Sequence, residues 1–131
     1  MTNPQGKTVY PSVGGYPFSN AIRVGDFVFV SGQMAFSSDG SVSTAPIQEQ
    51  TTMVMESLKA ILATAGCTMA DVVKCGCSLQ DARDFSGFNA VYGTYFPTNP
   101  PTRNTVVVQH VLDGRVEVDC VAYKPLTPTD H

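Results

Sequence analysis

The chain has 131 residues, a formal net charge of −3 and 43% hydrophobic side chains. That length suits one domain spanning 1–131, with a core over about residues 8–124 between flexible ends, and is short for two. With no basic block, nucleic acid or an anionic membrane is a poor fit as a partner, and no apolar run approaches a membrane span. The N-terminus lacks the basic and apolar regions of a signal peptide, which points to a cytoplasmic protein.

In chain order, the first fifteen residues allow at most a short strand around Thr8–Tyr10, and Gly14-Gly15-Tyr16-Pro17 reads as a turn that presents an aromatic ring. A short strand over Phe18–Arg23, a Val24-Gly25-Asp26 turn and a strong strand from Phe27 to Ser31 form a predicted hairpin. Ser31-Gly32-Gln33 ends it, where the glycine permits a bulge or a close backbone approach.

Thr44 or Ala45 opens the first helix, with Pro46 in its first turn. Ile47, Thr51, Val54, Leu58, Ile61, Leu62 and Ala65 recur at helical spacing, and Gly66 stops the pattern. Met53 and Met55 read as core filler or helix surface. A strand over Val72–Leu79 follows, with Cys75 and Cys77 on one face. Asp81 or Asp84 caps a second helix that runs to about Phe96. Its Phe85, Phe88, Tyr92, Tyr95 and Phe96 follow helical spacing and read as core, while Asn89, mildly unfavourable inside a helix, asks for a polar partner.

Pro100 and Pro101 hold the chain extended ahead of a strand over Arg103–His110, whose β-branched run places Arg103 at the strand mouth. Leu112-Asp113-Gly114 is a turn, and Arg115–Tyr123 is the last strand. There Val116, Val118, Cys120 and Ala122 alternate against Arg115, Glu117, Asp119, Val121 and Tyr123. The order predicts an α+β fold, a mixed sheet of five to six strands with both helices on one face. Pairing the last two strands as a hairpin would put Arg103, Thr105, Val107, Gln109 and the Glu117 set on the uncovered face, which self-association would bury. Arg103 and Glu117 would then sit together. They could grip a small acid and orient a water, or simply form a structural ion pair between subunits.

The four cysteines, Cys67, Cys75, Cys77 and Cys120, lack redox or metal spacing, and the histidines His110 and His131 are far apart. Buried free thiols and no metal site are expected.

Gly15-Tyr16, residues 25–33, Phe88-Asn89-Ala90-Val91-Tyr92, Pro101-Thr102-Arg103 and residues 116–122 resemble, in order and spacing, the RidA (YjgF/YER057c/UK114) family over about Tyr10–Lys124. The resemblance implies a chorismate-mutase-like fold, a homotrimer whose sheets form a barrel, and clefts between subunits. It implies a 2-iminobutanoate/2-iminopropanoate deaminase-like hydrolase that turns reactive enamines and imines such as 2-aminoacrylate into 2-oxo acids and ammonia, with no metal or organic cofactor. Arg103 matches the family's carboxylate anchor and Glu117 its water-positioning glutamate. Tyr16, Ser31 with Gly32, Asn89 and Thr105 match its substrate-binding positions. Thr105 stands where the family often has cysteine, and Gly15 where it often has proline. Other members act as pathway-specific deaminases of aminomuconate- or aminoacrylate-type compounds, or are non-catalytic trimers that bind a metabolite or protein. A ribonuclease reading, attached to some members, gains little from a slightly acidic chain.

Overall fold

The computed structural model describes residues 6–126, so the expected flexible ends at 1–5 and 127–131 lie outside the described residues. The elements are β1 (Lys7–Pro11), β2 (Ser19–Val24), β3 (Phe27–Gln33), α1 (Ile47–Thr64), β4 (Val72–Leu79), α2 (Phe85–Tyr92), β5 (Thr102–Val107) and β6 (Val116–Tyr123). The strands form one six-stranded sheet in the order β1-β2-β3-β6-β4-β5. Only β4 and β5 are parallel neighbours. This is the mixed α+β sheet that the sequence predicts, with both helices on one face.

Crossovers explain the order. Parallel strands cannot be joined by a tight turn, so α2 carries the chain from β4 back to β5. In the same way α1 carries it from β3 to β4, leaving a slot one strand wide. β6 fills that slot and runs antiparallel to both neighbours. Flanked on both sides, β6 buries every second residue: Val116, Val118, Cys120 and Ala122 are all nearly inaccessible. They pack against Val54, Met55, Leu58 and Leu62 of α1 and Phe88 of α2 in one core. Met55 is fully buried and Met53 packs against the core, so both methionines fill space. No helix among the described residues is long and apolar enough to cross a membrane.

Three expectations need correction. The last two strands do not form a hairpin, because β4 lies between β5 and β6. The strand predicted over 103–110 ends at Val107: after Val108 donates to the Leu79 carbonyl, the Gln80 side chain accepts from the His110 amide and draws the chain off the sheet. The second helix is also shorter. Single 3-10 turns at Ala82–Asp84 and Gly93–Tyr95 bracket an α-helix of eight residues, and Asp81 caps the first turn by accepting from the Arg83 amide.

α1 ends as predicted. Gly66 has φ +80°, its amide donates to Ala63, and the Cys67 amide donates to Leu62, the paired bonds of a left-handed glycine cap. Arg23 secures the same end. The residue is 8% exposed, and its guanidinium donates to the carbonyls of Gly25 (3.1 Å), Lys124 (3.0 Å) and Ala65 (3.0 Å). One side chain thus ties the β2–β3 turn to the helix end and to the segment after β6.

All four cysteines are free and buried. Burial raises every thiol's ionisation, and for Cys77, with Cys75 beside it, pushes it up to about 12.

Two outcomes follow. Arg23→Ala leaves three carbonyls without their donor and should lower the unfolding free energy by about 3 kcal/mol, read from the urea midpoint at unchanged slope. The thiolate is the reactive form, so at pH 8 the folded protein should resist a thiol reagent that modifies all four cysteines once guanidinium chloride is added.

Candidate functional site

Register decides where Arg103 points. It pairs with Cys75, whose side chain is in the core, so Arg103 also faces the helices. There its guanidinium lies 4.9 Å from the ring centre of Tyr92 and 5.6 Å from those of Phe85 and Phe88. The Asn89 Oδ1 accepts from Arg103 Nη1 at 2.7 Å. The helix asparagine has the polar partner that its position asks for. The aromatic stripe is therefore more than core: Phe88, Tyr92 and Phe96 are buried as expected, while Phe85 is exposed, and Phe85, Phe88 and Tyr92 form the surface that holds the arginine flat. A cation over an aromatic face gains roughly 0.5–2 kcal/mol, so three rings and one amide fix the fork with its remaining N–H donors unspent.

Two buried hydroxyls lie near Arg103: Thr105 Oγ1 has no hydrogen-bond partner among the described residues, and Tyr92 Oη has only the weakly accepting Cys75 thiol beside it. Thr105 is two residues from Arg103 on the same strand face, paired with Cys77. Burial, and then the neighbouring Cys75, raise the Tyr92 ionisation far above its usual range, so this hydroxyl is a neutral donor. An unpaired buried hydroxyl costs about 1–3 kcal/mol, a deficit that a polar ligand would remove.

Glu117 lies on the opposite face. It pairs with Ser78, and its neighbours there are Gly32 and, one pair along, Asp119 opposite Gly76. The β3 ladder shifts register between Val30 and Gln33, so Ser31 and Gly32 form the expected bulge. A Cβ on Gly32 would stand 2.5 Å from Glu117 Oε2, so this glycine is what admits the carboxylate. The Ser31 hydroxyl donates to the Ser19 carbonyl at 2.6 Å, tying the bulge to β2. Tyr16 sits in the β1–β2 connection, exposed and stacked on Phe18 at 5.7 Å, after Gly14 and Gly15 with φ +97° and +72°.

The predicted residues therefore fall into two groups. Arg103, Asn89 and Thr105 gather at the β5 edge beneath α2. Glu117, Gly32 and Ser31 gather around β3 and β6, with Tyr16 beyond them. Two strand spacings, about 10 Å, and the thickness of the sheet separate Arg103 from Glu117. The ion pairs among the described residues are Arg83–Asp81 and Arg115–Asp84, so the two key residues do not pair within one chain. Nor do Arg103, Thr105 and Val107 share the uncovered face with Glu117. That face carries Phe27, Phe29, Val106 and Tyr123, all exposed, beside Glu117, Asp119, Ser78 and Asn104. Among the described residues no group of three or more His, Cys, Asp or Glu side chains is arranged to hold a metal ion.

One arrangement escaped the sequence entirely. Ser78 and His110, 32 residues apart, meet at 2.8 Å. No local spacing signals such a pair, because the turn of the chain after β5 creates it.

Comparison with known proteins accords with this architecture. The family model described as Endoribonuclease L-PSP matches residues 12–124. A RutC family protein of Pyrococcus abyssi is 42% identical over 110 residues, covering 82% of this chain and 87% of the relative. Reactive Intermediate Deaminase A, chloroplastic, of Arabidopsis thaliana is 32% identical over 108 residues, covering 81% of this chain and 58% of the relative. Among solved structures, RidA from the Antarctic bacterium Psychrobacter sp. superposes with a TM-score of 0.78 at 33% identity, covering 87% of this chain and 93% of that one. With its sheet, its helices and nearly its whole length matched in this way, the chain belongs to the RidA family, whose model carries the description Endoribonuclease L-PSP.

Proposed function

We propose that the protein hydrolyses small reactive enamine and imine carboxylates, of the 2-aminoacrylate kind, to 2-oxo acids and ammonia, in clefts between the subunits of a homotrimer. The observation that carries this reading is the split site. Arg103 has an oriented fork and spare donors, Glu117 has no ion pair among the described residues, and a single chain holds them on opposite faces. A second copy laid against the uncovered face would bury its exposed aromatic side chains and bring one copy's Arg103 towards the next copy's Glu117. The relative named as a reactive intermediate deaminase supports the chemistry. We read the protein as cytoplasmic, although relatives named chloroplastic and mitochondrial show that location varies within the family.

The reaction suits these parts. An imine carbon is already electrophilic, so holding the substrate carboxylate on Arg103 and a water on Glu117 supplies most of what hydrolysis needs through proximity. The Thr105 hydroxyl would take a second ligand hydrogen bond, and Asn89 keeps the fork in plane. The reading calls for no metal or organic cofactor. It is preferred to ribonuclease action because a net charge of −3 offers a phosphate backbone little attraction.

Coupled to an enzyme that releases 2-aminoacrylate, the protein should accelerate pyruvate formation; no acceleration would sink this reading. Arg103→Lys should lower kcat/KM about 100-fold, because an ammonium cannot replace a bidentate fork. Glu117→Gln should lose turnover yet still bind a 2-oxo acid, whereas a purely binding protein would be indifferent to that change. Mixing Arg103→Ala with Glu117→Gln subunits under exchange tests the shared cleft. Random trimers would regenerate about a quarter of the intact clefts, and activity should return to about that level. Gly32→Ala should displace the Glu117 carboxylate, cutting kcat about tenfold while the melting temperature hardly moves.

A further inference from the structure

Beyond Glu117 the uncovered face continues into a second polar group that the deaminase reading does not use. Ser78 is the direct cross-strand partner of Glu117, so their side chains stand on the same face with Cβ atoms about 5 Å apart. On its far side the Ser78 hydroxyl meets His110 Nε2 at 2.8 Å. His110 Nδ1 lies 2.6 Å from the Gly114 carbonyl. A carbonyl only accepts, so Nδ1 carries the hydrogen, Nε2 is the acceptor, and Ser78 donates to it.

The imidazole is held from several sides. Its own amide donates to Gln80 Oε1 at 2.9 Å, and Gln80 Nε2 donates to Asp113 Oδ1 at 2.8 Å. The Gly114 amide donates to the Leu112 carbonyl at 2.8 Å, so the turn that presents the accepting carbonyl is held as well. His110 also lines an open groove of about 570 Å³ with Gln80, Val108 and Asp113, which gives the ring access to solvent.

We propose that Ser78 and His110 form a proton relay serving the water at Glu117, an inference that rests on the deaminase reading above. When His110 is neutral, Ser78 donates to it and turns its lone pairs towards the water, which donates one hydrogen to Ser78 and the other to Glu117. When Nε2 gains a proton, the hydroxyl must turn and donate back. In the forward step the water oxygen bonds to the carbon of a protonated imine, and the C=N π pair moves to nitrogen. The water's proton passes to Ser78 as the Ser78 proton passes to His110, leaving a neutral carbinolamine. The proton then returns along the same path to the amine nitrogen. The C–N bond breaks, its electron pair leaves with ammonia, and the hydroxyl proton follows through Glu117. Iminium and water thus become ketone and ammonium, with no other reactant. Ser78 touches the reacting water, and His110 acts through Ser78.

The test uses the 2-aminoacrylate-coupled assay on the full-length protein. Ser78→Thr and Ser78→Val are nearly the same shape and differ by one hydroxyl. Ser78→Thr should keep kcat within about threefold of the parent, and Ser78→Val should lose about 100-fold in kcat with KM unchanged. His110→Ala should lose a similar factor and regain part of it when imidazole is added through the groove, whereas Ser78→Val should not respond to imidazole. Equal kcat in the Thr and Val variants, or a His110→Ala variant as fast as the parent, would overturn the relay while leaving the deaminase reading intact. A parent protein with no activity would overturn both.

Discussion

Everything at the candidate site depends on how one strand is shared. β4 pairs in parallel with β5 and antiparallel with β6, and each of its residues dictates the face of both partners. Cys75 points into the core, so Arg103 must face the helices. Ser78, three residues along, points outwards, so Glu117 must do so too. No rotamer adjustment could bring the guanidinium and the carboxylate to the same side, because the period of two along a strand is not negotiable. The proposed assembly follows from that parity, and so does the adjacency of Ser78 to Glu117.

The arginine environment shows how much structure goes into holding one charge. Three aromatic rings from a short helix, one asparagine amide and the unpartnered Thr105 hydroxyl surround a side chain that has no carboxylate partner among the described residues. A guanidinium is weakly hydrated and stacks well, so it tolerates such surroundings where an ammonium would not. The buried Arg23, by contrast, is spent on three backbone carbonyls. The same residue type is spent in one place on architecture and in the other kept available. Exposure separates them less clearly than the inventory of acceptors does.

Much of this was legible in the sequence. Alternation in β6 gave its buried set, helical periodicity gave α1, and Gly66 marked its end, because each signal is local. Arg103, Glu117, Asn89 and Gly32 stood out by the same logic or by resemblance. What could not be read was strand order. Adjacent strands separated by a short turn suggest a hairpin, yet the β5–β6 connection passes over β4 because the crossovers leave a gap on its other side. The Ser78–His110 contact was hidden for the same reason: it requires the register of β4 and the early departure of the chain at His110. Arg23 was unremarkable in sequence, since nothing nearby reveals that the carbonyls of Ala65 and Lys124, far along the chain, converge on it beside that of Gly25.

The place of β6 also sets the timetable of folding. Phe27 pairs with Tyr123 and Val72 with Ala122, so the central seam joins early strands to the last one made. During synthesis the β1–β2–β3 meander and the β4–α2–β5 unit have no common hydrogen-bonded edge until β6 emerges from the ribosome. Two half-sheets with exposed inner edges must therefore wait for the final strand. A nascent chain stalled before residue 116 would present those edges to any neighbour, which makes the closing strand the step at which solubility is decided.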